Sequence, residues 1–199
     1  MPKADNRLLS FRTAFLSGTG NRNFQSGHTE MVNTKNSYTC GILTISDKGS
    51  RGERRDTSGA ALSEILTAGG YTVTEYTVVP DEIDEIQKCL KDWADEGKAD
   101  LILTTGGTGV SPRDRTPEAT RALLEKEIPG ISEAMRLKSL EKTGNAILSR
   151  GIAGIRRQSL IINLPGSEKA ARENIEVVLG TLPHALYKIK GGTKDCASC

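Results

Sequence analysis

Residues 101–120 read LILTTGGTGVSPRDRTPEAT, and the order of residue types in this stretch leaves few architectures open. Leu101, Ile102 and Leu103 form an apolar run of strand character that breaks into Thr104, Thr105, Gly106, Gly107, Thr108 and Gly109. Thr116 and Pro117 then open a helix as N-cap and first-turn residue. Three glycines let backbone N–H groups come close to an anion, and a helix start adds partial positive charge, so the segment suits phosphate or another oxyanion. Asp114, flanked by Arg113 and Arg115, reads as a magnesium ligand or as a group beside a transferring phosphoryl centre. The segment lacks the Lys-Ser/Thr of a P-loop and the spacing of GxGxxG. On pattern alone, tight-turn architecture explains it as well as anion binding does.

On either side, strands and helices alternate. Cys40, Ile42, Leu43 and Ile45 form a strand that ends at Ser46 and Asp47, and a polar loop runs on to Asp56. Thr57 or Ser58 caps a helix with Ala61, Leu62, Ile65 and Leu66 at helical spacing, stopped by Gly69 and Gly70. Val73, Tyr76, Val78 and Val79 make a second strand, closed by Pro80 and Asp81. A helix follows with Ile83, Ile86, Leu90 and Trp93 on one face. By position alone Asp81 is a helix cap.

Beyond the central stretch, Ala122, Leu123 and Leu124 continue a helix that Pro129 and Gly130 end. Ile131, Met135, Leu137 and Leu140 mark another. The segment AILSRGIAGI suits either a twisted strand or a loop near a ligand. Ser159 to Leu164 is a strand ending in Pro165 and Gly166, and helices follow from near Ser167 to Leu179 and over Leu182 to Ile189. This alternation predicts an α/β sandwich with a mostly parallel sheet. Ligands gather where such strands end, so Asp47, Asp81, the loop from Gly106 to Asp114 and the turn at Pro165 are expected on one edge.

Three segments divide the chain: 1–37, a disordered, transit-like or misassigned extension with Met31 as an alternative start; 38–190, the folded domain; and 191–199, a flexible tail. The net charge of +2 is unevenly placed, because residues 1–37 hold five basic residues against two acidic ones, leaving 22 against 23 for the rest. Anion affinity must therefore come from a local site and not from a global field. Aromatic residues are only 4% of the chain, too few for base-stacking platforms, which argues against nucleic acid as a partner. No apolar run approaches the roughly 18 residues of a membrane span. Cys40, Cys89, Cys196 and Cys199 make no disulfide framework, and without a secretory leader the expected compartment is the cytoplasm. The CxxC pair Cys196/Cys199 has no second pair nearby, and His28 and His184 are the only histidines. It is therefore expected to be a thiol-bearing tail and not a closed zinc site.

ILTISD, VVPDE, LILTTGGTG, SPRDRTPEAT, ILSRGIAGIR and LIINLPG follow one another over residues 38–190. In this order they resemble the molybdopterin adenylyltransferase family of molybdenum-cofactor biosynthesis, and are similar to the G domain of gephyrin-type fusion proteins. The resemblance implies a three-layer α/β/α fold and a homotrimer. It implies transfer of AMP from magnesium-bound ATP to the phosphate of molybdopterin, with release of pyrophosphate. The family's two functional carboxylates fall on Asp81 and Asp114, as catalytic and Mg2+-binding groups, with Asp47 a further metal candidate. Its molybdopterin-phosphate loop falls on Thr105, Gly106, Gly107, Thr108 and Gly109. Ser111, Arg113, Ser149, Arg150, Pro165 and Gly166 are further contacts, although Arg150 can equally pair with a surface carboxylate. Arg115 departs from the family's small apolar residue. With no fused insertase domain, the product would pass to a separate molybdenum insertase. Two alternatives share the fold: a pterin-binding paralogue without transferase activity, and a scaffold module.

Overall fold

A computed structural model of the chain describes residues 38–193. The expectations for residues 1–37 and for Cys196 and Cys199 lie outside the described residues. Six strands form one sheet: β1 (Thr39–Ile45), β2 (Thr72–Val79), β3 (Leu101–Thr105), β4 (Lys126–Glu127), β5 (Ala153–Arg156) and β6 (Ser159–Leu164). Their spatial order is β2-β1-β3-β6-β5-β4. The first four in that order are parallel, while β5 and β4 add an antiparallel edge. Among the described residues the α-helices are α1 (Asp47–Ser50), α2 (Thr57–Ala68), α3 (Ile83–Asp95), α4 (Thr116–Arg121), α5 (Pro129–Leu140), α6 (Glu168–Val178) and α7 (Leu182–Ile189).

The period-2 alternation of strand side chains divides the core into two halves. Ile42, Leu101, Leu103, Leu160 and Ile162 pack against α2, α5, α6 and α7 through Leu62, Leu66, Met135, Ile175 and Leu186. On the other face Leu43, Ile45, Ile102 and Ile161 meet Ile86, Leu90 and Trp93 of α3 and Ala119 of α4. This is the expected three-layer sandwich. Each fully buried Leu or Ile contributes about 1.5–3 kcal/mol of transfer free energy. Gly41 on β1 leaves the space that the Trp93 ring fills, since a Cβ there would stand 2.6 Å from Cε3 of that ring. Among the described residues no helix is long and apolar enough to cross a membrane.

Several local expectations are corrected. Pro129 occupies the first turn of α5, where its missing N–H costs nothing, and does not end the preceding helix. That helix, α4, has already stopped at Arg121, so Ala122, Leu123 and Leu124 lie beyond it. Leu137 and Leu140 are 67% and 40% exposed, because they lie off the side of α5 that Ile131 and Met135 turn to the core. The ambiguous glycine-containing segment becomes a 3-10 turn over Gly144–Leu148, a loop, and then strand β5.

Candidate functional site

After β1 the chain runs outward to β2, and after β3 it runs the other way toward β6. The sheet's switch point therefore falls between β1 and β3, with a crevice at their carboxyl ends. Ser46 follows β1 and caps α1 by accepting from Gly49 N at 3.1 Å. Asp47 and Asp81 hold each other's backbone: Asp47 N donates to Asp81 Oδ2 at 3.0 Å and Asp81 N donates to Asp47 Oδ1 at 3.1 Å. Asp81 does not cap α3, as its position had suggested; Glu82 is the N-cap residue of α3 and makes no side-chain cap bond. The reciprocal pair welds the ends of β1 and β2 instead.

Arg113 brings in the loop after β3. Its Nε and Nη2 donate to the two oxygens of Asp47 at 3.1 and 2.8 Å, and Nη1 donates to Glu82 at 2.8 Å. These Arg113 bonds, with the Asp81 N–H, hold the Asp47 carboxyl below the ordinary carboxylate range. Asp81 moves the opposite way. Burial raises its proton affinity, and the nearby Asp47 and Asp114 carboxylates add to the rise against the pull of the Asp47 N–H and of Arg113. Burial and neighbouring like charge both disfavour an ionised carboxylate.

The glycine loop crosses directly above the sheet. Gly106 has φ +108° and Gly107 φ +61°, left-handed values that glycine adopts without penalty. A Cβ on Gly106 would run into the Ile45 carbonyl oxygen, and one on Gly107 into Thr116 Oγ1. Thr116 is not the expected N-cap but the first residue of α4, and its hydroxyl donates to Gly106 O at 2.9 Å. With only six residues, α4 supplies little dipole, so any capacity of the segment to hold an anion rests on the loop's own peptide groups. Among the described residues, the N–H groups of Gly107, Thr108, Gly109 and Val110 have no hydrogen-bond acceptor. Consecutive unpaired N–H groups in such a turn form an anion-binding concavity.

Asp114 closes the far side of the loop, with Oδ2 accepting from Ser111 N at 2.8 Å and close to Gly109. Thr105 Oγ1 donates to Pro165 O at 2.7 Å, and Gly106 N donates to Leu164 O at 3.2 Å. The turn after β6 therefore joins the same edge. A Cβ on Gly166 would lie 3.1 Å from Gly106 Cα, so the two turns touch backbone to backbone.

Two cavities open on this edge and share Gly107, Asp114 and Gly166. One, of about 380 Å³, is lined by Arg54, Arg55, Asp56, Ser58, Asp81 and Ser167 among others, and lies at the N-termini of α2 and α6. The other, of about 500 Å³, is lined largely by apolar groups, including Val110, Leu148 and Pro165, with Thr108, Gly109, Ser149 and Asn174. Ser111, Arg115 and Arg150 line neither; they face a separate groove beside Asp114. Arg150 donates to Gly109 O and Asp114 O, each at 2.6 Å, and pairs with Glu118.

The sequence reading missed Asp56, which replaces Thr57 and Ser58 as the cap of α2 by accepting from Gly59 N at 2.8 Å. It also accepts from Thr44 Oγ1 and Tyr76 OH, each at 2.6 Å. Burial pushes its pKa up, but hydrogen bonds from Thr44, Tyr76, Gly59 and Ser58 outweigh that and hold the carboxyl below its ordinary value. The aspartate before Thr-Ser-Gly was the available signal. Arg54 and Arg55 carried no signal at all.

Residues 41–184 match the family described as "Probable molybdopterin binding domain". The chain is 46% identical over 153 residues to molybdopterin adenylyltransferase of Helicobacter pylori strain J99, covering 76% of this chain and 87% of that protein. It is 48% identical over 154 residues to the molybdenum cofactor synthesis protein cinnamon of Drosophila melanogaster, covering 77% of this chain. The chain spans about a quarter (26%) of that longer relative. Among solved structures, the molybdopterin biosynthesis enzyme MoaB of Thermus thermophilus superposes with a TM-score of 0.74 at 58% identity, covering 77% of this chain and 97% of that one.

Proposed function

Because this chain belongs to the molybdopterin-binding domain family of molybdenum-cofactor biosynthesis, we propose that it is a nucleotidyltransferase that moves AMP from ATP to the phosphate of molybdopterin and releases pyrophosphate. The observation that carries this reading is the meeting of two chemically unlike cavities at Gly107, Asp114 and Gly166. The polar cavity, with Arg54, Arg55 and two helix N-termini, suits a nucleotide polyphosphate. The apolar cavity beside the glycine loop suits a flat heterocycle whose phosphate reaches the loop.

In this arrangement a phosphate oxygen of the pterin attacks the α-phosphorus of ATP. A new phosphorus–oxygen bond forms as the bond to the bridging oxygen of the β-phosphate breaks, and pyrophosphate leaves with that electron pair. A phosphate monoester is already ionised near neutral pH, so no general base is required. The chief obstacle is repulsion between anions, and the residues oppose it by position and charge. The N–H groups of Gly107, Thr108, Gly109 and Val110 are available to phosphate oxygens, and Arg54 and Arg55 to the leaving group.

The donor set also fits magnesium. Among the described residues no three acidic, His or Cys side chains converge as a protein cage. Magnesium needs none, since it keeps waters and phosphate oxygens and takes one or two carboxylates. Asp81, raised in proton affinity and facing Gly107, would hold it with Asp114. Asp47, committed to Arg113, would support Asp81 rather than bind the metal. The ion would supply charge neutralisation at the reacting phosphates. Assembly as a homotrimer, a cytoplasmic location and hand-off of adenylylated pterin to a separate insertase complete the proposal.

The test is pyrophosphate release and adenylylated-pterin formation by the full chain given molybdopterin and magnesium ATP, beside Asp114→Asn. Product that disappears in the variant supports the reaction. Pterin bound without product would identify a non-catalytic paralogue.

A further inference from the structure

The glycine loop is held by its oxygens. Gly106 O accepts from Thr116 Oγ1 at 2.9 Å and Gly107 O from Thr116 N at 3.1 Å. Thr108 O accepts from Arg150 N at 2.9 Å and Gly109 O from Arg150 Nε at 2.6 Å. In a trans peptide unit the C=O of one residue and the N–H of the next point in opposite directions. The four anchored carbonyls are therefore the rear halves of the four peptide units whose N–H groups, from Gly107 to Val110, lack acceptors among the described residues.

We propose that Arg150 and Thr116 are positioning residues that pin the loop's carbonyl oxygens from behind and so aim its amide N–H groups at a phosphate. Glycine peptides flip readily, and a flipped unit would turn a carbonyl oxygen toward the anion and repel it. Arg150 suits the task because a planar guanidinium presents several donors in fixed directions. It holds Gly109 O and Asp114 O, and it pairs with Glu118. Nε and Nη2 are thus turned to backbone oxygens of the loop and Nη1 to Glu118. Thr116, fully buried, does the same from the other side with no charge at all. The inference rests on the reading of this loop as a phosphate cradle and adds how the cradle is kept open.

The experiment titrates inorganic phosphate into the 15N-labelled full chain and follows the amide resonances of Gly107, Thr108, Gly109 and Val110. Three variants are compared: Arg150→Lys, Arg150→Met and Thr116→Val, each checked by thermal melting. In the unsubstituted chain these four amides shift on binding. Arg150→Lys and Arg150→Met are expected to weaken binding alike, by about tenfold, because lysine keeps the charge but not the fork. Thr116→Val is expected to weaken it about fivefold through one lost hydrogen bond. In the transfer assay kcat per folded molecule should fall in all three, which a merely structural role would leave unchanged.

Arg150→Lys behaving like the unsubstituted chain would overturn the proposal, since charge alone would then suffice. So would unshifted loop amides in the unsubstituted chain, or Thr116→Val binding phosphate normally. If an Arg150 variant does not fold, Thr116→Val, which replaces the hydroxyl with a methyl of similar volume, decides the matter. Phosphate binding that follows the predicted order without any AMP transfer would sink the adenylyltransferase reading and leave the positioning roles standing. Transfer lost with phosphate binding intact would do the reverse.

Discussion

At the amino ends of the strands, Asp100 accepts Thr39 N at 3.0 Å on one carboxylate oxygen and Lys190 at 2.6 Å on the other. Its own N–H goes to Thr39, its carbonyl accepts Leu160 N, and Ser159 Oγ donates to Ala99 O at 2.6 Å. At the carboxyl ends, four consecutive N–H groups have no partner among the described residues, and Asp81 is left half-buried beside two other carboxylates. One end of the sheet spends its polar groups on itself; the other leaves some of them, the four loop N–H groups above all, without a protein partner among the described residues. The closed end should therefore govern stability and the open end activity, and the two should separate by mutation.

The largest effect is expected at the open end. Asp81→Asn should lower AMP transfer by about 10²–10³-fold, while its melting temperature at neutral pH stays level or rises. The sign follows from linkage. Asp81 has a raised pKa in the folded chain, so its favourable contribution is present below the unfolded value and is lost as pH rises through the folded one. The charged form opposes folding, and Asn removes it. A lowered melting temperature with transfer retained would erase the contrast.

Gly41→Ala, on the far side of β1 from the site, should cost about 1–3 kcal/mol by overpacking against Trp93. Urea unfolding reads that loss, and kcat of the folded fraction should not change. Asp100→Ala at the closed end should cost about 1–3 kcal/mol, chiefly by leaving the part-buried Thr39 N–H without its carboxylate acceptor, again without effect on kcat/KM. A tenfold fall in kcat/KM would mean that the closed end reaches the site.

The smallest effect concerns pH. With magnesium limiting, kcat/KM should rise with pH through the apparent pKa of Asp81, and that limb should lie above the ordinary aspartate value of about 3.9. Raising magnesium should move it to lower pH, because the metal competes with the proton. Asp47 and Asp56, both held below their ordinary values, contribute stability that is present above the unfolded pKa and lost as pH falls through the folded one. Acid unfolding should therefore lie below the activity limb. Coincidence of the two curves would show that the activity loss is unfolding and not titration of Asp81.

The layered fold was legible because its signals are local. Apolar runs in β1, β3 and β6, the helical spacing of α2 and α3 and the glycine stops each depend on residues within a few positions of one another. The glycine loop and the two aspartates were legible as residues of the right type at strand ends. Their partners were not. Asp81 resembled a helix cap because Asp is a good cap wherever a helix begins, and nothing near it in sequence announces Asp47, 34 positions away. Arg150 had two readings in the sequence, a phosphate contact or a surface ion pair. It pairs with Glu118, but its other side-chain contacts, to carbonyl oxygens, were in neither.

Sequence alone therefore determined the main strands and helices and most of the chemical groups at their ends, since backbone preference and hydrophobic period act over one or two turns of chain. Only the tertiary structure decided which of those groups meet. The parallel register of β1 with β2 and β3, and of β3 with β6, sets strand ends from distant parts of the chain side by side. Hydrogen bonds of about 3 Å then select partners that no local pattern encodes. The same geometry determined that the loop's oxygens are anchored while its N–H groups remain available.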